Sequence, residues 1–590
     1  MASLSGNPLS RLLRPASGPG EMGRLVAVAA FVGVLAGLVS SLFRSALRAL
    51  TAFAADGLAG GFDPSAATLP GWALFLVPGV GGLLTGLLIQ KAIPGSVGRA
   101  ADGTDAAIDA FHNHGGLVRP RVPFLKGVTS IVTIGTGGSA GVEGPMSQVG
   151  SGIGALVGRF LGVTERQRRI LGIAGMAAGL GAIFKAPLGG ALTSVEVLYK
   201  SDFESDAVMP AIVASVAGYA TFCAVDGYAP ILGLLPRFAF HGPLEILLYA
   251  AMGAMMAVAS RLFIRLFRRT RELSLAWNLP FWAKSALAGC AVGLVALAVP
   301  QIAGSWELLA GMMRGGTGSG WRAAAFLLAL AAAKMAATAL TVGVTQSGGL
   351  FGPSLFVGGV LGGAFGTAVH ALWPAAVPQP GAYVFVGMGA FFAGVAHAPI
   401  AVAVMVCELA GDYGLLAPLM VASVVHVVLA RRESIYLHQV PNKFASPAHR
   451  HELQRDILRE STVRSLLPGT PAPVCLPPEA TLAEIRRAIS GTSEEIFPVV
   501  DGSGAFAGVL DVHELRKAIF DDSLADWVIA QDMLRPSAGL SPDMDLHVAL
   551  QRFLAENASQ MAVLEGGKVV GTLHQRDLIA VYEEKSRSYT

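Results

Sequence analysis

Gly138-Ser139-Ala140-Gly141-Val142-Glu143-Gly144-Pro145 places one carboxylate among glycines, with apolar sequence on both sides. Pro145 suits the first turn of a helix, where its missing N–H is no loss, and Met146 to Leu161 reads as that helix. Glu143 then lies at a helix N-terminus, which carries unpaired N–H groups and about half a positive charge and so attracts anions. A tethered carboxylate there can take the place of a free anion, and protonation weakens its hold. The expected device is a gate. Two other readings compete. Gly135-Thr136-Gly137-Gly138-Ser139-Ala140 fits a GxGxxA dinucleotide pattern, but no βαβ unit surrounds it and no Gly-Lys-Ser/Thr closes a P-loop. Alternatively, the glycines only let helices approach and Glu143 is neutral or paired.

The flanking sequence decides between solvents. Of 590 residues 53% are apolar, 73 more are glycine and 14% are charged, against about 25% charged in a soluble domain. An integral membrane protein with a soluble portion is expected. The net charge of +3 gives no reason to invoke nucleic acid, and the arginines cluster, as topology signals do. Cys223, Cys290, Cys407 and Cys475 lack CxxC spacing, so neither a zinc site nor a disulfide framework is expected. Leu25 to Phe43 is long enough to span and reads as a retained helix, not a cleaved signal; Arg11, Arg14 and Arg24 before it favour a cytoplasmic N-terminus.

Further apolar segments are expected at Trp72 to Ile93, Val128 to Ser139, Met146 to Leu161, Ile170 to Phe184, Pro187 to Tyr199 and Val208 to Val225, then at Leu244 to Phe267, Ser285 to Ser305 and Ala323 to Val344. Met335 to Cys407 contains no Asp, Glu, Lys or Arg, and Tyr413 to Ala430 and a short Glu433 to Val440 segment follow. Two polar stretches, Arg99 to Lys126 and the arginines from Arg261 to Arg271, mark expected cytoplasmic faces. Several of the apolar segments are shorter than the roughly 20 residues of a full crossing. Broken helices at membrane depth are tolerated where they line a protein-enclosed pathway, which points to transport.

An internal repeat sharpens this reading. Gly175-Met176-Ala177-Ala178, Ala186-Pro187 and Val195-Glu196 recur 212 residues on as Gly387-Met388-Gly389-Ala390, Ala398-Pro399 and Cys407-Glu408. Gly141-Val142-Glu143-Gly144-Pro145 echoes Gly349-Leu350-Phe351-Gly352-Pro353 at 208. Paired broken helices point to a midplane site, in halves either parallel or inverted. A second repeat lies in the charged C-terminal part: Leu476 to Leu482 matches Leu540 to Leu546, and Phe497 to Asp501 matches Met561 to Glu565, both at 64. These units resemble a tandem pair of CBS domains, which implies an adenine nucleotide as a possible ligand, with Asp577 at the ribose-contacting acid position and His574 and Gln575 where a hydroxyl is usual.

Residues 20–445 resemble the CLC family of chloride channels and proton-coupled chloride transporters, Gly141 to Pro145 being similar to its G-[KR]-E-G-P gate and Gly349 to Pro353 to its G-x-F-x-P motif. The resemblance implies an all-α polytopic membrane domain of two inverted repeats with broken helices, followed by the α/β CBS pair. It divides the chain into a cytoplasmic segment 1–23, a membrane domain 24–445, a linker 446–460 and CBS domains 461–522 and 523–590. It makes Glu143 the gate and proton acceptor and assigns anion contacts to Gly141, Gly144, Gly349, Leu350, Phe351 and the Tyr436 hydroxyl. It also implies a homodimer in the cell's inner or plasma membrane with both termini cytoplasmic.

Three departures qualify these expectations. Asp102 stands where the family's inner anion site has serine or proline, with Thr104 able to offer a hydroxyl; Val142 replaces the basic residue beside the gate; and Val197 occupies the inner proton-glutamate position, after Glu196. A valine cannot relay a proton, so channel-like chloride conduction stands ahead of proton-coupled exchange. A more distant rival is a cation or metal transporter using Asp102, Asp105, Glu143, Glu196 and Glu408, although hard cations want several oxygens together. No nucleophile–base pair suggests an enzyme, and no cofactor is required for the membrane domain.

Overall fold

The computed structural model describes residues 20–54, 71–98, 100, 102–233, 236, 238, 240, 242–303, 306–316, 318–430, 433–449, 458–467, 472–519 and 527–589. Arg11, Arg14 and Arg99 lie outside them, as do most of segment 1–23 and part of the 446–460 linker. The chain divides into two compact units, Met1–Lys443 and Phe444–Thr590.

The first unit is built from helices: α1 (Gly20–Ala52), α2 (Gly71–Ala92), α3 (Gly103–Asn113), α4 (Arg121–Gly135), α5 (Glu143–Leu161), α6 (Glu165–Phe184), α7 (Pro187–Glu196), α8 (Val208–Asp226), α9 (Pro243–Ala276), α10 (Phe281–Ala298), α11 (Trp306–Gly311), α12 (Gly320–Thr345), α13 (Phe351–Leu372), α14 (Pro380–Ala396), α15 (Pro399–Ala410) and α16 (Leu416–Ala430). Seven are long and apolar enough to cross a membrane, while α14, α15 and α16 are apolar but shorter. The segment expected at Val128 to Ser139 begins earlier, as α4, and ends at a turn in which Gly137 has φ 95°. Glu433 to Val440 forms no helix. Val440 bridges to Tyr199 instead, and the Gln439 amide donates to the carbonyls of Val197, Tyr199 and Ala396. These bonds pin the segment in an irregular path.

The repeat is structural, and the two copies run in opposite senses. Glu196, at the C-terminal end of α7, accepts from the N–H groups of Ile400 and Ala401 at the start of α15, at 3.3 and 2.7 Å. Glu408, near the end of α15, accepts from Leu188 and Gly189 at the start of α7, at 3.1 and 2.7 Å. Each helix thus caps the other's N-terminus. Only an antiparallel pair can exchange caps in this way, so the halves are inverted. Lys185 and His397, one residue before the matched Ala-Pro pairs, both end their helices in the left-handed region, at φ 52° and 56°.

Close packing of α5 on α6 and of α13 on α14 repeats the same chemistry. A Cβ on Gly150 would strike the Gly175 carbonyl and one on Gly175 the Gly150 carbonyl; Gly358 and Gly387 stand in the same relation in the second half. Small residues at such crossings let backbones touch where lipid offers no hydrophobic drive to hold helices together.

The second unit contains two similar α/β modules. In one, α17 (Leu482–Ser490), β1 (Ile496–Val500), β2 (Phe506–Asp511) and α18 (Val512–Ile519) enclose Ile485, Phe497, Val499, Leu510 and Leu515; in the other, α19 (Leu546–Glu556), β3 (Gln560–Glu565), β4 (Lys568–His574) and α20 (Gln575–Tyr589) enclose Phe553, Met561, Val563, Leu573 and Leu578. Both strand pairs are antiparallel hairpins, and each gains a parallel bridge at the repeated leucine, Leu476 to Val499 and Leu540 to Val563. Thr481 and Asp545, equivalent by the repeat, cap α17 and α19.

Gly150→Ala and Gly358→Ala should each destabilise the folded membrane unit by about 1–3 kcal/mol, the usual cost of overpacking. Gly311→Ala, where an added Cβ meets nothing within 4 Å, should leave the unfolding temperature of the detergent-solubilised protein unchanged.

Candidate anion pathway

The two glycine-rich motifs meet at one point. The Gly141 N–H donates to the Gly349 carbonyl and the Gly349 N–H to the Gly141 carbonyl, both at 2.8 Å. This two-way bridge brings the N-termini of α5 and α13 together inside the unit. The backbones are so close that a Cβ on Gly144 would lie 2.7 Å from the Gly349 Cα, which is why neither position can carry a side chain.

Glu143 is the first residue of α5 and is 1% exposed. Its carboxylate does not turn back on its own helix alone: Oε1 accepts the Gly352 N–H at 2.6 Å, and the Phe351 N–H approaches the same group. The acid therefore occupies the N-terminus of α13, where unpaired N–H groups and the helix dipole favour negative charge.

A second carboxylate shares that helix end. Asp102 caps α3, with Oδ1 accepting the Thr104 N–H at 2.6 Å and the Asp105 N–H at 3.4 Å, and its Oδ2 accepts the Leu350 N–H at 2.7 Å. Three helix N-termini, those of α3, α5 and α13, thus converge on two buried acids. Tyr436 reaches the same place from the segment after α16: its ring is buried, its hydroxyl has no hydrogen-bond partner among the described residues, and Thr104, Asp102 and Glu143 lie beside it. The Thr104 hydroxyl bonds to Ser147 at 3.2 Å. Lys126, buried on α4, donates to the Gln346 carbonyl and brings a full cation toward Asp102.

Every residue expected at the anion site is therefore within one cluster: Gly141, Glu143, Gly144, Gly349, Leu350, Phe351, Tyr436, Asp102 and Thr104. The Leu350 N–H, expected to face the anion, instead holds Asp102. The bond is not legible in the sequence, because nothing in the spacing of residues 102 and 350 links them.

A family model described as voltage gated chloride channel matches residues 81–431. The chain belongs to the CLC family. CBS models match residues 463–521 and 529–584, and the chain is a membrane transport protein and not an enzyme. It is 32% identical over 414 residues to a ClcB-like protein of Ralstonia nicotianae, covering 69% of this chain and 93% of that one. To the H(+)/Cl(-) exchange transporter ClcA of Vibrio cholerae it is 29% identical over 418 residues, 68% of this chain and 85% of the other. Two solved structures share the fold. A slow cyanobacterial Cl-/H+ antiporter superposes on 70% of this chain and 96% of its own, with TM-score 0.62 and 23% identity; a eukaryotic CLC transporter covers 94% and 98%, with TM-score 0.57 and 21% identity.

Other positions singled out in this CLC chain fall elsewhere. Val197 ends α7 fully buried, its carbonyl bonded to Gln439. Glu196 and Glu408, offered as cation ligands, spend their oxygens on opposing helix N-termini, and among the described residues no group of three His, Cys, Asp or Glu converges as a metal site would require. Lys185 pairs with Asp226 at 3.3 Å, away from the cluster. In the CBS unit, Asp577 Oδ2 accepts the His574 N–H at 3.0 Å and so closes the start of α20.

The Tyr436 hydroxyl gives up no protein hydrogen bond if removed. Tyr436→Phe should fold as the wild type does and bind chloride roughly tenfold more weakly, as loss of one hydrogen bond to a charged group predicts; isothermal titration of the purified protein with chloride checks this.

Proposed function

We propose that the protein carries chloride, or an anion of similar size, across the membrane through a pathway that Glu143 closes. The observation that supports this most directly is the Glu143 carboxylate on the Gly352 N–H at the head of α13. A tethered anion in that position competes with a free one for the same donors, and a proton on Glu143 removes its charge and its claim on them. Partial charges from helix ends, with Lys126 as the nearby full cation, bind an anion firmly enough to admit it and loosely enough to release it.

In this reading Gly141, Gly144, Gly349, Leu350, Phe351, Tyr436 and Thr104 line the route, and Asp102 must release the Leu350 N–H before an anion can use it. The protein works as a homodimer in the cell's inner or plasma membrane. Arg168 bonds the Gly115 carbonyl and Arg271 the Gly98 carbonyl, and in this reading the positive-inside rule makes these arginine-rich stretches cytoplasmic. The CBS pair is a regulatory module, and an adenine nucleotide is the ligand class we assign to it.

Chloride efflux from proteoliposomes tests the gate. Glu143→Gln, a permanent mimic of the protonated acid, should abolish the pH dependence of chloride flux while leaving flux itself measurable. A reversal potential that followed the cation gradient would overturn the proposal.

A further inference from the structure

Asp102, Asp105 and Asp109 follow one another at intervals of three and four residues, the spacing that puts side chains on one face of a helix. Their partners on that face form a continuous series. Asp105 accepts the His438 N–H on Oδ1 at 2.9 Å and meets the His438 ring Nδ1 on Oδ2 at 3.0 Å. The other ring nitrogen, Nε2, lies 3.8 Å from Asp109 Oδ1, and Asp109 Oδ2 lies 3.2 Å from His114 Nε2. Side-chain exposure is 4% at Asp105, 27% at His438, 20% at Asp109 and 50% at His114, so the row is buried at one end and open at the other. At the buried end stand Asp102 and the Tyr436 hydroxyl, which lies close to both Asp102 and Asp105 and has no partner among the described residues. The row thus begins at the anion cluster and ends at water, at the end of the unit where Arg168 meets Gly115.

Resting on the transport reading above, we infer that this α3 face is a proton route between the cytoplasmic solution and Glu143, taking the place of the acid missing at Val197, and that the protein exchanges chloride for protons. A proton taken up from water at His114 passes to Asp109 and then to His438 Nε2. The ring releases the proton on its Nδ1 to Asp105 Oδ2, so one N–H bond forms as the other breaks and no charge accumulates on the ring. Asp105 passes it to Asp102, three residues back on the same face of α3. A protonated Asp102 loses its charge and releases the Leu350 N–H to chloride, and the proton goes on to Glu143. Chains of Asp, Glu and His inside membrane proteins suit such relays because each member can hold a proton without large movement.

Asp102 is faced by Asp105, Glu143 and Tyr436, and by Lys126 from α4; His438 is faced by Asp105, Asp109 and Arg271. The hydrogen bond to Asp105 raises the His438 pKa above the ordinary value.

The test is simultaneous recording of chloride and proton movement in proteoliposomes holding the full chain, for the wild type, His438→Gln, Asp105→Asn and Glu196→Gln. His438→Gln keeps the backbone N–H that bonds Asp105, so its fold should survive; a monodisperse profile in detergent checks this. The wild type should drive protons against their gradient when given a chloride gradient. His438→Gln and Asp105→Asn should lower proton movement at least tenfold and slow chloride flux with it, because Asp102 gives up the Leu350 N–H only when protonated, and Glu196→Gln should couple as the wild type does. Val197→Glu added to His438→Gln should restore part of the proton movement. Chloride flux without proton movement in the wild type would overturn the route while leaving the transport reading intact, as would full coupling in His438→Gln. Absence of any chloride flux in the wild type would overturn both.

Discussion

The structure of the membrane unit depends on one pair of hydrogen bonds, those exchanged between Gly141 and Gly349. Each belongs to a loop that would otherwise leave backbone groups unpaired at membrane depth, where lipid offers no substitute. By pairing with each other, the two loops can afford to break their helices in the interior. The breaks then leave the N–H groups at the head of α13 free to hold carboxylates, and the unit acquires a polar centre without burying a fixed array of cations.

Around that bridge the two halves enforce one another. The caps exchanged by Glu196 and Glu408 fix α7 against α15, and the glycine crossings fix α5 on α6 and α13 on α14. The halves are not equivalent at the centre, however. Glu143 heads α5, whereas the matching residue at the head of α13 is Phe351, so the first half supplies the acid and the second supplies the N–H groups that bind it. An internally duplicated fold thus produces an asymmetric site.

Much of this was legible before any coordinates. The matched Ala-Pro and Glu positions and the two glycine motifs carried the repeat, because glycine and proline mark backbone requirements that recur wherever the same broken helix recurs. The 64-residue echo in the C-terminal part likewise marked a repeated strand and helix cap. The inverted sense of the membrane repeats was not legible, since periodicity is blind to direction; it rests on which helix end each glutamate reaches. Asp102 was noticed as a misfit, but its bond to Leu350 joins residues far apart in the chain. Nothing in the sequence marks His438, because its chemistry comes from Asp105 and Asp109 across the fold. The short Glu433 to Val440 segment has a path that its sequence leaves open, because tertiary bonds from Gln439 set it.

The glycine crossings also limit how the protein can move. Where the Gly150 and Gly175 backbones and the Gly358 and Gly387 backbones lie in direct contact, a sliding helix would drive carbonyl oxygens into one another, and interiors packed at this density shift between discrete arrangements instead of deforming smoothly. The scaffold around the acids is therefore stiff. Motion at the centre is thereby left to side-chain torsions such as those of Glu143 and Asp102, which are intrinsically fast.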